Sequence, residues 1–344
     1  MASFDFKPKI IVKKLLADIP ERGREVLTSR YGLGKTSEKM TLEAIGKKYG
    51  ITRERVRQIE NAALANVRKS KAYKESVSIF ESLKKTISTL GGIISEEDFL
   101  NHTAPKDKEL QNNIFFLLVV GDAFKRSKED EDFNHRWHIG DTHAKKVEDA
   151  LKKLYKSLSD DELLPESEVL ERFLKHLEEL NSEYRDEEVL KRWLSISKKI
   201  GKNPLGEWGV SDSKNVSVKG IRDYAYLAIR KHGSPIHFTE VAKSIEKMFS
   251  KKAHVATTHN ELIKDPRFVL VGRGLYALSE WGYINGIVKD VITKILDKSG
   301  PLSKKDIVDK VMKERYVKEN TILVNLQNSK NFKKEKDGKY SLVK

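Results

Sequence analysis

"TLEAIGKKYGITRERVRQIE", residues 41–60, sets two short amphipathic stretches on either side of a glycine. Leu42, Ile45 and Tyr49 recur at helical spacing, the Thr41 hydroxyl can accept an orphan backbone N–H, and Gly50 can take the positive φ that ends a helix. Thr52 offers a second cap, and the spacing predicts a second helix from there through about Lys69, with Val56, Ile59, Ala63 and Val67 as its inward stripe. Arg53, Glu54, Arg57 and Gln58 then share the outward face near its N-terminal end. Two short helices joined by a tight turn, the second presenting long polar side chains early, describe a helix-turn-helix. The chemistry suits the major groove. Arg can bond guanine through two atoms, Gln can do the same with adenine, and Glu can accept from a cytosine amino group. The same residues also suit an exposed helix laced with its own ion pairs, and spacing alone leaves both readings open.

Charge points the same way. The 344-residue chain carries a net charge of +15, unevenly spread. Residues 1–74 hold 18 Lys and Arg against 8 Asp and Glu, residues 75–216 hold 22 against 29, and residues 217–344 hold 26 against 14. A polyanion is attracted to both ends and repelled by the middle. The absence of cysteine excludes disulfides, thiolate catalysis and cysteine-ligated zinc. The longest apolar run, "IFFLLVV" at 114–120, falls far short of the ~20 residues that span a bilayer, and the first twenty residues do not read as a signal peptide. The expected setting is the cytoplasm, at the nucleoid, with no membrane partner.

Past residue 75 a pattern recurs four times, each unit closing on an aromatic, a spacer and an aliphatic. These are "RWHIGD" at Trp137, "EWGVSD" at Trp208, "LYALSE" at Tyr276 and "KYSLVK" at Tyr340. Such alternation places the aromatic and the aliphatic on one face of a strand, and the turn-rich "GRG" (272–274) and "DG" (337–338) suit hairpins. Upstream, Ser95, Ser167, Thr239 and Ser303 read as helix caps. Each unit thus reads as helix, cap, helix, helix and a two-stranded wing. The expected fold is mainly α with small β wings, a helix-turn-helix over 1–74 followed by four tandem winged helices at 75–141, 142–216, 217–283 and 284–344. Linkers are short, so the modules are expected to form a semi-rigid string. The stretch 158–190 has 12 acidic residues against 3 basic and is a candidate protein-docking face.

Two resemblances extend this reading. "TLEAIGKKYGITRERVRQIENAAL", with the preceding "IPERGREVLTSRYGL", is similar to region 4 of the primary-type bacterial sigma factors over about residues 19–70. The resemblance implies that Arg53, Glu54, Arg57 and Gln58 face base edges of a promoter upstream element, and that Arg22, Arg30, Thr41 and Arg55 lie near phosphates. It also implies RNA polymerase core as a second partner, since family members grip the flap of the β subunit with this domain. Gly23 stands where an acidic residue is usual, a departure expected to weaken its helix. Sigma regions 2 and 3 find no room before the match, so a self-sufficient sigma factor is not expected. "GIRDYAYLAIRKHGSPIHFTEVAKSI…DPRFVLVGRGLYALSEWGY", about 219–283, resembles the HARE-type winged helix found also in the polymerase delta subunit.

Other motifs carry less. "GLGKT" (32–36) lacks the first glycine of a phosphate loop, Ser29 standing in its place, and reads as a connector between helix pairs. His135 with His138, and His254 with His259, lack a third ligand at useful spacing. No catalytic triad or paired carboxylates stand out, so the expectation is a non-enzymatic DNA-binding transcription protein without cofactor or metal. The competing readings are a polymerase accessory factor with weak DNA binding and a structural DNA-coating array. A subunit aiding DNA modification is more distant.

Overall fold

A computed structural model describes residues 4–177 and 186–343, which are mainly helical with four small antiparallel sheets. They divide into two compact units, 1–202 with 207–212, and 203–206 with 213–344.

The first unit runs α1 (Pro8–Ala17), α2 (Glu21–Tyr31), α3 (Leu42–Tyr49), α4 (Arg53–Lys69), α5 (Lys71–Glu75), α6 (Val77–Thr89), β1 (Ile93–Ser95), α7 (Glu96–Thr103), α8 (Lys108–Val120), β2 (Lys125–Ser127) and β3 (Arg136–His138). It continues with α9 (Asp141–Ser157), α10 (Glu166–Lys175), α11 (Glu187–Leu194), β4 (Ile200–Lys202) and β5 (Trp208–Val210). The second unit comprises α12 (Ile221–His232), β6 (Ile236–His237), α13 (Phe238–Phe249), α14 (Val255–Lys264), β7 (Phe268–Leu270) and β8 (Leu275–Leu278), then α15 (Val288–Ser299), α16 (Lys304–Glu314), α17 (Glu319–Leu326), β9 (Phe332–Lys334) and β10 (Tyr340–Leu342).

Each recurring aromatic lies on the second strand of a hairpin. Trp137 faces Arg126, Trp208 faces Lys202, Tyr276 faces Leu270 and Tyr340 faces Lys334 across antiparallel pairs. In the first two repeats the indole N–H donates to the glutamate that opens the preceding helix pair: Trp137 to Glu96 at 3.0 Å and Trp208 to Glu166 at 3.4 Å. Ser95 and Ser303 cap α7 and α16 by accepting from the backbone N–H of Asp98 and Asp306. The other two caps differ from expectation. α10 begins directly after Pro165, so Ser167 lies within its first turn. Pairing of His237 with Leu275 holds the chain extended to residue 237, whose ring then serves as the cap in place of Thr239.

The repeats of the first unit are not a string. One apolar core runs from Val12, Leu15 and Leu16 through Leu27, Tyr31, Ala63 and Val67 to Ile114, Phe116, Leu117 and Trp137. The run read as "IFFLLVV" is most of α8, which packs against α1, α2 and α4. A second core joins Ile93 and Phe133 to Val147, Leu151, Phe173 and Trp193. The next repeat is locked to the first by Lys198 N–H donating to the Asp132 carbonyl at 2.7 Å and by the Trp193 indole donating to that of Gly91 at 3.2 Å. In the second unit, the Arg315 guanidinium donates to the carbonyls of Ile284 and Gly286, and Tyr316 N–H to that of Val271, so the linker before α15 has little slack.

Residues 178–185 of the acidic stretch lie outside the described residues. Much of the rest is neutralised internally. Arg172 bonds Glu162 and Glu168 at 2.8 and 2.7 Å, and Glu166 lies 2.9 Å from Lys191 and 2.5 Å from Lys202. Those hydrogen bonds, the one from Lys191 foremost, hold the Glu166 carboxyl down at about 2.

Candidate nucleic-acid interface

The turn between α3 and α4 is built by the residues its sequence suggests. Thr41 Oγ1 accepts from Ala44 N–H at 3.1 Å, and Thr52 Oγ1 accepts from Arg55 N–H at 3.1 Å. Gly50 ends α3 at φ +64°. Gly46 matters through space, because a Cβ there would stand 2.6 Å from the Ile51 carbonyl oxygen, so the turn closes onto bare backbone. Val26, Ile45 and Val56 are fully buried beneath it.

Arg53, Glu54, Arg57 and Gln58 are all exposed on the first two turns of α4. The structure brings them together, and they also pair. Arg57 grips Glu54 with both prongs of its guanidinium, Nε at 2.8 Å and Nη2 at 2.6 Å. This bond lowers the pKa of the Glu54 carboxyl below the usual range and raises that of Arg57. Arg55 Nη1 donates to Gln58 Oε1 at 3.1 Å. The intrahelical pairing that the sequence leaves open is therefore present. Both pairs are solvent-exposed, so each adds little to stability and is readily exchanged for a better acceptor.

The residues expected near phosphates are differently engaged. Arg22 stacks over the Tyr49 ring at 3.8 Å and lies 3.7 Å from Glu25. Arg30 Nη1 donates to the Met40 carbonyl at 3.2 Å, anchoring the loop into α3. Thr41 is spent on its cap, with its side chain at the surface.

The inward stripe of α4 differs in one position. Val56, Ala63 and Val67 are buried as expected, but Ile59 is only partly buried and Glu60 is buried beside them. Glu60 accepts from the Tyr31 hydroxyl at 2.9 Å and lies 3.6 Å from Arg30. Burial first, then Glu60, raises the Tyr31 phenol well above its ordinary value. This latch, a positioning device missed from the sequence because its members lie 29 residues apart, sets the crossing of α2 and α4. Gly23 sits at the same crossing. A Cβ there would meet Ala63 Cβ at 3.0 Å and Ile19 Cγ2 at 3.3 Å, so the glycine permits close approach and α2 is intact around it.

The histidines are placed by ordinary contacts. His135 Nδ1 accepts from Glu129 N–H, His138 bonds Ser127, and His259 stacks on Phe238 with ring centres 4.2 Å apart. Among the described residues no group of three His, Asp or Glu side chains is placed to hold a metal ion, and no helix is long and apolar enough to cross a membrane.

Comparison with known proteins meets this geometry at one segment. Residues 15–69 match the family profile "Sigma-70, region 4". RNA polymerase sigma factor RpoS of Coxiella burnetii is 53% identical over 57 residues, 17% of this chain and 16% of that protein. RNA polymerase sigma factor RpoD of Helicobacter pylori is 42% identical over 60 residues, covering 17% and 9%. RNA polymerase sigma factor SigA of a Nostoc species is 47% identical over 57 residues, covering 17% and 14%. The match spans between about a tenth and a sixth of the length of these relatives. Residues 15–69, the segment that carries α2, α3 and α4, are a sigma-70 region 4 domain.

Proposed function

We propose that the chain is a sequence-selecting DNA-binding transcription protein. α4 of its region 4 domain enters the major groove of a promoter upstream element, and Arg53, Glu54, Arg57 and Gln58 read base edges there. Arg22, Arg30, Thr41 and Arg55 hold neighbouring phosphates. The carrying observation is the set of four long polar side chains, all exposed, on the first two turns of a helix whose N-terminus is capped and whose opposite face is buried. The four repeats, at 75–141, 142–216, 217–283 and 284–344, are read as winged helices, the third of HARE type. Their element order of helix, helix, helix and hairpin supports this. The protein acts in the cytoplasm, at the nucleoid, and as a non-enzyme.

RNA polymerase core is a second partner through the β flap in the reading that competes. One observation weighs against an apolar grip by this domain. Among the described residues up to 141, only Ile10 and Val77 are large hydrophobics exposed to solvent, because α8 of the same chain covers the apolar side of α1, α2 and α4.

The test is binding of the whole chain to a duplex carrying a TTGACA-type element, against a scrambled duplex, at about 0.15 M salt. The expected outcome is a clear preference that Arg57→Ala reduces by about 1–3 kcal/mol. Equal weakening on both duplexes would remove base reading, and equal weak binding by the unaltered protein would leave the coating array or the polymerase grip.

A further inference from the structure

We propose that a cavity between the region 4 domain and the first repeat is a phosphate-binding site that takes the DNA backbone beside the groove read by α4. This rests on DNA being the partner. The cavity has a volume of about 670 Å³, and four places in the sequence bring cations to it. Arg30 comes from the end of α2 and Lys39 from the loop before α3; Arg68 comes from the last turn of α4, and Lys125 and Arg126 from β2. Phe115 of α8 also lines it, and Asp122 is the one acidic residue that does.

Four of the five cations already have a carboxylate. Arg126 is held by Glu96 through two bonds of 2.7 and 2.9 Å, Lys125 by Asp141 at 2.5 Å, Arg68 lies 3.5 Å from Asp122, and Arg30 lies 3.6 Å from Glu60. Lys39 has none. Its Nζ rests 4.2 Å above the centre of the Phe115 ring, and it makes no ion pair among the described residues. Burial, and then Arg126, Arg30 and Lys108, lower its pKa, while Glu96 opposes them. An ammonium among like charges, over a ring face and on a side chain that solvent and ligands can reach, is stabilised by an anion that enters. A phosphodiester brings that charge with several acceptor oxygens.

Arg68 follows Arg57 by eleven residues on α4, about three turns, so the two project on one side of the helix roughly 16 Å apart. Lys39 stands two residues before the Thr41 cap of α3, and Arg30 holds the intervening Met40 carbonyl. The cavity therefore opens beside the last turn of α4, and Phe115 and Trp137 carry its lining onto the first repeat.

The experiment is a salt series on the full chain with the preferred and the scrambled duplex. Lys39→Gln is expected to weaken both alike, on the order of fivefold at physiological salt, and to make log K against log salt shallower by about 1. Lys39→Arg, which keeps the charge, is expected to keep affinity and slope. Unchanged affinity and slope in Lys39→Gln would overturn the proposal. So would equal loss in Lys39→Arg with a lowered melting temperature, which marks a structural role. Inorganic pyrophosphate bound by the unaltered chain but not by Lys39→Gln, with DNA binding the same in both, would assign the cavity to a free phosphate ligand and overturn the DNA placement. If Arg57→Ala leaves preference untouched while Lys39→Gln flattens the salt slope, base reading fails and the phosphate site stands.

Discussion

Arg57 and Glu54 show how a surface can be ordered for one purpose and poised for another. Their bidentate pair fixes two otherwise mobile side chains on α4, at little cost because both face water. In the proposed reading Arg57 exchanges Glu54 for O6 and N7 of a guanine, and the carboxylate left beside that contact repels every phosphate nearby. Glu54→Ala is therefore expected to tighten binding to scrambled DNA and to narrow the ratio between preferred and scrambled, both readable in one titration. That Arg53, Glu54, Arg57 and Gln58 share one exposed face was legible because it follows from a helix start and a period of 3.6. Glu60 was not. A carboxylate one position from a predicted apolar stripe reads as exposed, and only Tyr31 and Arg30, brought from α2, make its burial tolerable. Gly23 shows the same limit. Its role is set by Ala63, forty residues on, and a sequence comparison registers only that an acidic residue is missing.

At the scale of elements, the signals that held were local. Thr41, Gly50 and Thr52 each act within three or four residues, as do Ser95 and Ser303. Ser167 and Thr239 failed where a neighbour outcompeted them: Pro165 already opens α10, and the β6–β8 pairing ends at His237, which caps α13 two residues before Thr239. Thr52→Ala is expected to cost about 0.5–2 kcal/mol and to speed amide hydrogen exchange in the first turn of α4, the turn that presents Arg53 and Glu54. α10 supplies a pH test. Hydrogen bonds from Lys191 and Lys202 place the folded Glu166 carboxyl near 2, below the unfolded value of about 4.3. Its contribution is therefore complete above about pH 4.3 and is lost as pH falls toward 2. Glu166→Gln is expected to lower the urea midpoint at about pH 6 and to leave it nearer that of the unaltered protein at about pH 3.

The whole molecule departs furthest from what sequence suggests. Repeats with short linkers imply modules that fold alone, and their hairpins are where the sequence puts them. The packing between them is not written in any one segment. It depends on α8 meeting α1, α2 and α4, and on Trp193 and Ile93 sharing a core. A fragment of residues 1–74 would leave Val12, Leu15, Leu27 and Tyr31 without Phe116 and Leu117. Its expected state is largely unfolded by circular dichroism and rapidly proteolysed, whereas a fragment of residues 1–212, which retains both cores of the first unit, is expected to resist protease as one body.

That shared core also sets a clock on synthesis. α4 is complete in the chain at Lys69, but the side of the domain opposite the exposed face of Arg53 and Arg57 stays uncovered until Trp137 has been made. At ~5–20 residues per second the interval is about 3–14 s. During it the nascent chain carries Arg53, Glu54, Arg57 and Gln58 with no floor to hold them in place. A fixed α4 thus comes with the first repeat and not with the helix itself.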